Sequence, residues 1–116
     1  MLLNNLIFLK SNTLSKKVYK QTLNLPHKYQ SSIGDQLRRA SLSIILNIVE
    51  GGAQFKIKER LRFTRIAFAS LKETKYLIYF LKEFNLIEER FHREIKDEIN
   101  ELAKILFGYL RKHKQT

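Results

Sequence analysis

An all-α fold, arranged as an antiparallel up-down-up-down four-helix bundle, is the class this sequence predicts, and three observations predict it. The 116 residues contain one proline and four glycines, too few turn-formers for an all-β chain. Hydrophobic residues make up 44% of the chain, which excludes a disordered polymer. Apolar residues recur at steps of three and four through most of the length, the period of one helix face. The length accommodates one hydrophobic core, so residues 1–116 read as a single domain.

Four helices follow in order. The first covers about residues 4–24, with Leu14, Val18 and Leu25 in helical register and Pro26 ending it. "HKYQSSIG" reads as a connection in which Ser31 or Ser32 can cap the next helix. The second helix covers about 32–50 and carries two apolar stripes. Ile33, Leu37, Ala40, Ile44 and Ile48 form one, and Leu42, Ile45, Leu46 and Val49 the other, which implies burial on two sides. Gly51 and Gly52 then suit the positive-φ position after a helix end.

The third helix covers about 56–83 and the fourth about 88–113, joined by the short link "FNLIEE". On the fourth, Phe91, Ile95, Ile99, Leu102, Leu106 and Tyr109 make one core stripe. Opposite it lies a mixed solvated face of Glu94, Glu98, Glu101, Arg90, Arg93 and Lys104. Between Tyr76 and Leu81 the third helix is apolar all round. Either Tyr76, Tyr79 and Phe80 meet another copy of the chain, or the tyrosines keep their hydroxyls wet at the bundle surface; the surplus apolar area favours a homo-oligomer.

Net charge is +11 and unevenly placed. Residues 1–72 hold 13 Lys/Arg against three acids, and residues 73–116 hold nine against eight. Such an excess points to a polyanionic partner, most often nucleic acid, with an ordinary solvated surface as the alternative. Within "KIKERLRFTR", Lys58, Arg62 and Arg65 stand at i, i+4 and i+7, Lys72 a further seven along, and Lys56 and Arg60 beside them. A stripe of cations on a straight rod tracks a phosphate backbone. Lys16, Lys17, Lys20, Arg111, Lys112 and Lys114 would widen the patch. No base-reading motif accompanies it, so little sequence preference is expected.

Chemistry is not expected. The absence of cysteine rules out disulfides and thiolate sites and fits a reducing cytoplasm. His27, His92 and His113 lack metal-ligand spacing, and His92 shares a charged, solvated face with Lys96. Without a P-loop, a nucleophile elbow or an acid cluster, no catalytic residue, metal or cofactor is assigned. The start "MLLNNLIFLK" lacks the marks of a signal peptide, and the longest apolar run, "YLIYFL", is too short to span a bilayer, so no membrane partner is expected.

The stretch "LPHKYQSSIGDQLRRASLSIILNIVEGG" resembles the motif of the four-helix-bundle family of 23S rRNA intervening-sequence proteins. That pattern, Q-(I/L)-R-R-A-x-x-S-I-x-x-N-I-x-E-G, is matched by Gln36, Leu37, Arg38, Arg39, Ala40, Ser43, Ile44, Asn47, Ile48, Glu50 and Gly51. "RFTRIAFASLKE" is similar to the family's R-F-x-x-I-A-x-(G/A)-S-x-x-E through Arg62, Phe63, Ile66, Ala67, Ala69, Ser70 and Glu73. The chain departs from the pattern at Leu46, where a small residue is common, and at 56–60, where Lys and Arg replace a usual Ser and Phe. Its charge and the stretch "LPHKYQSSIGDQLRR" also resemble the accessory proteins of diversity-generating retroelements. That likeness implies a ring-like homopentamer, RNA binding and a reverse transcriptase partner.

The motif residues further imply a polar seam between the second and third helices, made of Arg38, Arg39, Ser43, Asn47, Glu50, Gly51, Ser70 and Glu73. In it Glu50, an acid in the unfavourable last turn of a helix, would receive hydrogen bonds from the third helix or a neighbouring copy. Two functions compete: a basic RNA-binding accessory protein, and a scaffold that docks a protein such as a reverse transcriptase. A third, membrane-surface association through the basic first helix, has the least behind it.

Overall fold

The computed structural model describes residues 2–113, with side chains from residue 5 onward. Five helices run in order: α1 (Leu2–Thr22), α2 (His27–Gln30), α3 (Ile33–Gly52), α4 (Ile57–Glu83) and α5 (Glu89–Lys112). No strand occurs among the described residues. The four long rods close a circuit in which α1 and α4 each pack against both α3 and α5. The short connections at 53–56 and 84–88 turn successive rods antiparallel. The molecule measures 45 × 24 × 21 Å, about one long helix in height.

The core sits along the axis of this circuit. Leu14 and Val18 of α1, Leu37 and Ile44 of α3, Leu71, Ile78 and Leu81 of α4, and Ile95, Ile99, Leu102 and Leu106 of α5 are all fully buried. Each contributes roughly 1.5–3 kcal/mol of hydrophobic stabilisation. The α5 stripe is therefore the expected one, with Phe91 and Tyr109 partly buried at its ends.

The second helix differs from its expectation. Only its first stripe enters the core; Leu42, Leu46 and Val49 are 38%, 57% and 50% exposed. Three rods cannot surround a fourth in a closed circuit, so α3 has one face left for solvent or another molecule.

The α3–α4 pair is held close by small and hydroxylated side chains. Ser70 Oγ donates to Ser43 Oγ at 2.7 Å, while Thr64 and Thr74 direct their hydroxyls to carbonyls one turn back on α4. Gly51 is a correction to the expected cap. Neither Gly51 nor Gly52 has positive φ; both lie inside α3, which ends in right-handed geometry at Ala53. A Cβ at Gly51 would stand 3.2 Å from Cβ of Phe63, so this glycine lets α4 approach the end of α3. The positive φ falls instead on Asn85, at 58°. There the Leu86 and Asn85 amides donate to the Leu81 and Lys82 carbonyls and close the end of α4 in a Schellman pattern.

The connection "HKYQSSIG" contains the short helix α2, with Pro26 as its N-cap. Ser32 precedes α3 without capping it; its hydroxyl donates back to the Tyr29 carbonyl at 3.4 Å. Arg38 secures the corner instead. Its guanidinium donates to Thr22 Oγ1 at 3.1 Å and to Gln30 Oε1 at 2.9 Å, and also to the Gln30 carbonyl. Gln30 in turn donates to the carbonyls of Thr22 and Leu25, satisfying the C-terminal end of α1. Gly34 makes this closeness feasible, because a Cβ there would lie 2.9 Å from the Tyr29 carbonyl oxygen.

Gly34 and Gly52 accordingly respond oppositely to the same change. Gly34→Ala, pressed against backbone, is expected to lower stability by roughly 1–3 kcal/mol. Gly52→Ala, whose Cβ would meet nothing within 4 Å, is expected to raise it by up to about 1 kcal/mol. Urea unfolding followed by helical circular dichroism measures both.

Candidate nucleic-acid interface

The cations expected to bind phosphate separate into three groups once the rods are packed. Lys58, Arg65 and Lys72 lie along one edge of α4, at steps of seven, where that edge meets α5. From α5 come Lys104 and Arg111. Together they border two adjoining open depressions of about 680 and 700 Å³ that share Phe107 and Arg111 and form one groove. Leu61, Phe68, Phe107 and Leu110 make its apolar floor, and no acid lines it. Lys72 also lies over the Phe68 ring, 5.4 Å from its centroid.

A second group is occupied elsewhere. Lys17 donates to Glu98 at 2.6 Å and lies 3.4 Å from Glu94, so α1 and α5 are bridged there. The hydrogen bond to Glu98 holds the Lys17 ammonium above its usual pKa, against a smaller lowering by burial. Lys10 and Glu101 repeat the bridge at 2.9 Å. Arg62 turns away from the groove, pairs with Glu59 at 3.2 Å and stacks over Phe63. Arg60 donates to the Gln54 carbonyl and braces the α3–α4 turn. A third group, Lys16, Lys20, Lys56 and Lys112, is exposed outside the groove lining. Lys114 lies outside the described residues.

The expected α3–α4 seam is also redistributed. Asn47 donates to the Ser43 carbonyl and Oγ at 2.7 and 3.0 Å, and Ser43 accepts from Ser70. Glu73 accepts from Gln36 at 2.6 Å, a residue the sequence reading left out of the seam. Arg38 serves the α2 corner, and Arg39 pairs with Asp35 on its own helix at 3.1 Å. The Glu50 side chain is exposed and has no hydrogen bond or ion pair among the described residues; its carbonyl accepts from the Ala53 amide and the Gln54 side chain. Tyr76 and Tyr79 are 60% and 45% exposed, while Phe80 is partly buried between the rings of Tyr76 and Phe84.

Sequence reasoning missed Lys104, Phe68 and Phe107 as groove residues. The signal was present: Lys104, Phe107 and Arg111 step by three and four along a flank of α5 that avoids Glu94, Glu98 and Glu101. Grouping Lys104 with those glutamates as one mixed face hid it.

Residues 4–108, nearly the whole chain, match the family model of the 23S rRNA-intervening sequence protein. The chain belongs to that family. In fold it is similar to a crystal structure of a protein of unknown function from the S23 ribosomal protein family of Bacteroides thetaiotaomicron. The two superpose with a TM-score of 0.83 at 19% identity, over 94% of this chain and 98% of that one. No curated protein matches the chain. For this family member, no helix among the described residues is long and apolar enough to cross a membrane.

His92 departs from its expected solvated setting. It is buried against the Tyr79 ring, 6.3 Å between centroids, and its Nδ1 has no hydrogen-bond partner. Burial lowers its pKa, and Lys82, Lys96 and Arg93 lower it further against the opposing pull of Glu89. The unfolded chain then takes up the proton first, so stability falls as pH drops below about 6.5, the ordinary histidine value. His92→Phe is expected to flatten that decline in a thermal-midpoint series from neutral pH downward; an identical slope would remove His92 as its source.

Proposed function

We propose that the chain is a non-enzymatic RNA-binding accessory protein of the 23S rRNA-intervening sequence family, working as a homo-oligomer. The carrying observation is the α4/α5 groove, where five cations face one strip of surface with no acid among its lining residues. Lys58, Arg65, Lys104 and Arg111 have no ion-pair partner among the described residues, so counterions are all a phosphate chain must displace there. The family's name, which refers to 23S rRNA, supports RNA as that chain.

The exposed face of α3 supports assembly. Leu42, Leu46 and Val49 lie on the outside of α3, and the Ser43–Ser70 bond puts the exposed Ile66 of α4 level with Leu46. A second copy covering this strip would remove apolar surface that one chain leaves in water. Tyr76 and Tyr79 are exposed too but stand apart from this strip, since Tyr79 packs on His92 of α5; the resemblance to ring-forming relatives favours a closed ring such as a pentamer.

Both parts are measurable. Binding to structured RNA is expected to weaken with salt at a log–log slope of roughly −3.5 to −4.5, as five phosphate contacts require. Arg65→Gln with Arg111→Gln is expected to reduce that slope by about 2, and Arg62→Gln to change it far less. Salt-insensitive retention on a protein partner would support the docking scaffold instead. In light scattering after gel filtration, the wild-type chain is expected to run as an oligomer and Leu46→Glu as a smaller species with unchanged helix content. A monomeric wild type would remove the assembly.

A further inference from the structure

The groove has one property that phosphate binding leaves unused: its floor is aromatic and open. Phe107 is 55% exposed, with the Phe68 ring 6.3 Å away. Arg65 and Arg111 line the same depression on one side of it, and Lys72 and Lys104 on the other. A large ring held in water beside four cations loses burial energy and does nothing for the core. Beside it on α5 stands Gly108, a poor helix former placed inside the helix about one turn before its end. A Cβ there would meet no atom within 4 Å, so packing does not demand glycine; its effect is to leave the groove wall flat next to Phe107.

We infer that this groove takes single-stranded RNA, with an unpaired base stacked on Phe107 and the strand's phosphates held by Lys58, Arg65, Lys72, Lys104 and Arg111. The inference rests on the RNA-binding reading above and specifies it. An A-form duplex hides its base faces within the stack and offers sugar and phosphate at its surface, so it would leave Phe107 idle. A single strand presents π-faces and phosphates together, the pairing that an aromatic platform in a basic groove accommodates. From Lys58 to Lys72 the α4 edge runs about 21 Å, enough for several nucleotides. Because every base has a π-face, this mode needs no base-reading motif.

The test compares the full chain's binding to an unstructured single strand of roughly 10 nucleotides, the matching RNA duplex, and inorganic polyphosphate. The single strand is expected to bind tightest. Phe107→Ala is expected to weaken it roughly tenfold, with polyphosphate binding and the salt slope unchanged. The chain has no tryptophan, so Phe107→Trp places one reporter in the groove. This variant is expected to retain binding, and its emission to be quenched by the strand and not by polyphosphate. Full affinity of Phe107→Ala, equal or tighter binding of the duplex, or unquenched emission would overturn base stacking. In those cases a salt slope still dependent on Arg65 and Arg111 leaves the RNA reading standing. Absence of salt-dependent binding to any RNA overturns both.

Discussion

The rotational setting of α5 about its own axis governs which of its charges meet α1 and which meet α4. Ile95, Ile99, Leu102 and Leu106 are fully buried, and at roughly 1.5–3 kcal/mol each they outweigh surface ion pairs worth about 0–1 kcal/mol. Turning the rod by one residue, about 100°, would bring Lys96, Asn100 and Ala103 toward the core centre and lift the isoleucines out. With the stripe pinned, one flank delivers Glu94, Glu98 and Glu101 to Lys10 and Lys17 of α1. The other flank, carrying Lys104 and Arg111, meets α4 with no acid to answer it. Charge segregation is therefore a result of apolar packing, and the ion pairs follow it.

A similar hierarchy explains the motif that identifies the family. Its small and polar residues set distance between rods. Ser43 meets Ser70, Gln36 meets Glu73, and Gly51 admits Phe63, three points that tie α3 to α4 near both ends and the middle. The first of the two adjacent arginines, Arg38, is turned toward α2, where one guanidinium satisfies Thr22 and Gln30. A lysine could not span that fork, because it lacks the planar set of donors. Its neighbour Arg39 is solvent-facing and paired locally with Asp35. Adjacent identical residues thus have unlike tasks, as a rotation of about 100° per residue requires.

The four long helices were legible because their periodicity is local, a property of 20 or so neighbouring residues. What escaped was whatever depends on two segments meeting. Lys17 and Arg62 have the composition of phosphate ligands, but acids at Glu98 and Glu59 engage them in the folded chain. Counting charge along the sequence put the basic excess in residues 1–72, yet the groove draws Lys104 and Arg111 from the nearly neutral remainder. Gly51 and Gly52 looked like a helix stop because glycine commonly supplies positive φ there. The fold uses Gly51 for close approach and assigns the left-handed turn to Asn85. The apolar second stripe of α3 was visible, but its exposure was not, since period alone cannot tell a partner within the chain from one outside it.

α4 carries the consequence for function. Its α5-facing edge bears Lys58, Arg65 and Lys72, while its α3-facing edge bears Ile66 beside the exposed leucines. The two surfaces are different edges of one rod and share no residue, so in the proposed assembly copies could join along α3 and α4 without covering the grooves. A single groove making the five proposed phosphate contacts would bind weakly at physiological salt, where each contact loses part of its counterion-release entropy. Several grooves presented by one closed assembly would make successive contacts intramolecular and raise the effective concentration of each. On this geometry the oligomer is what would turn a modest basic groove into a firm grip, and the two edges of α4 would couple the proposed assembly to the proposed binding without any moving part.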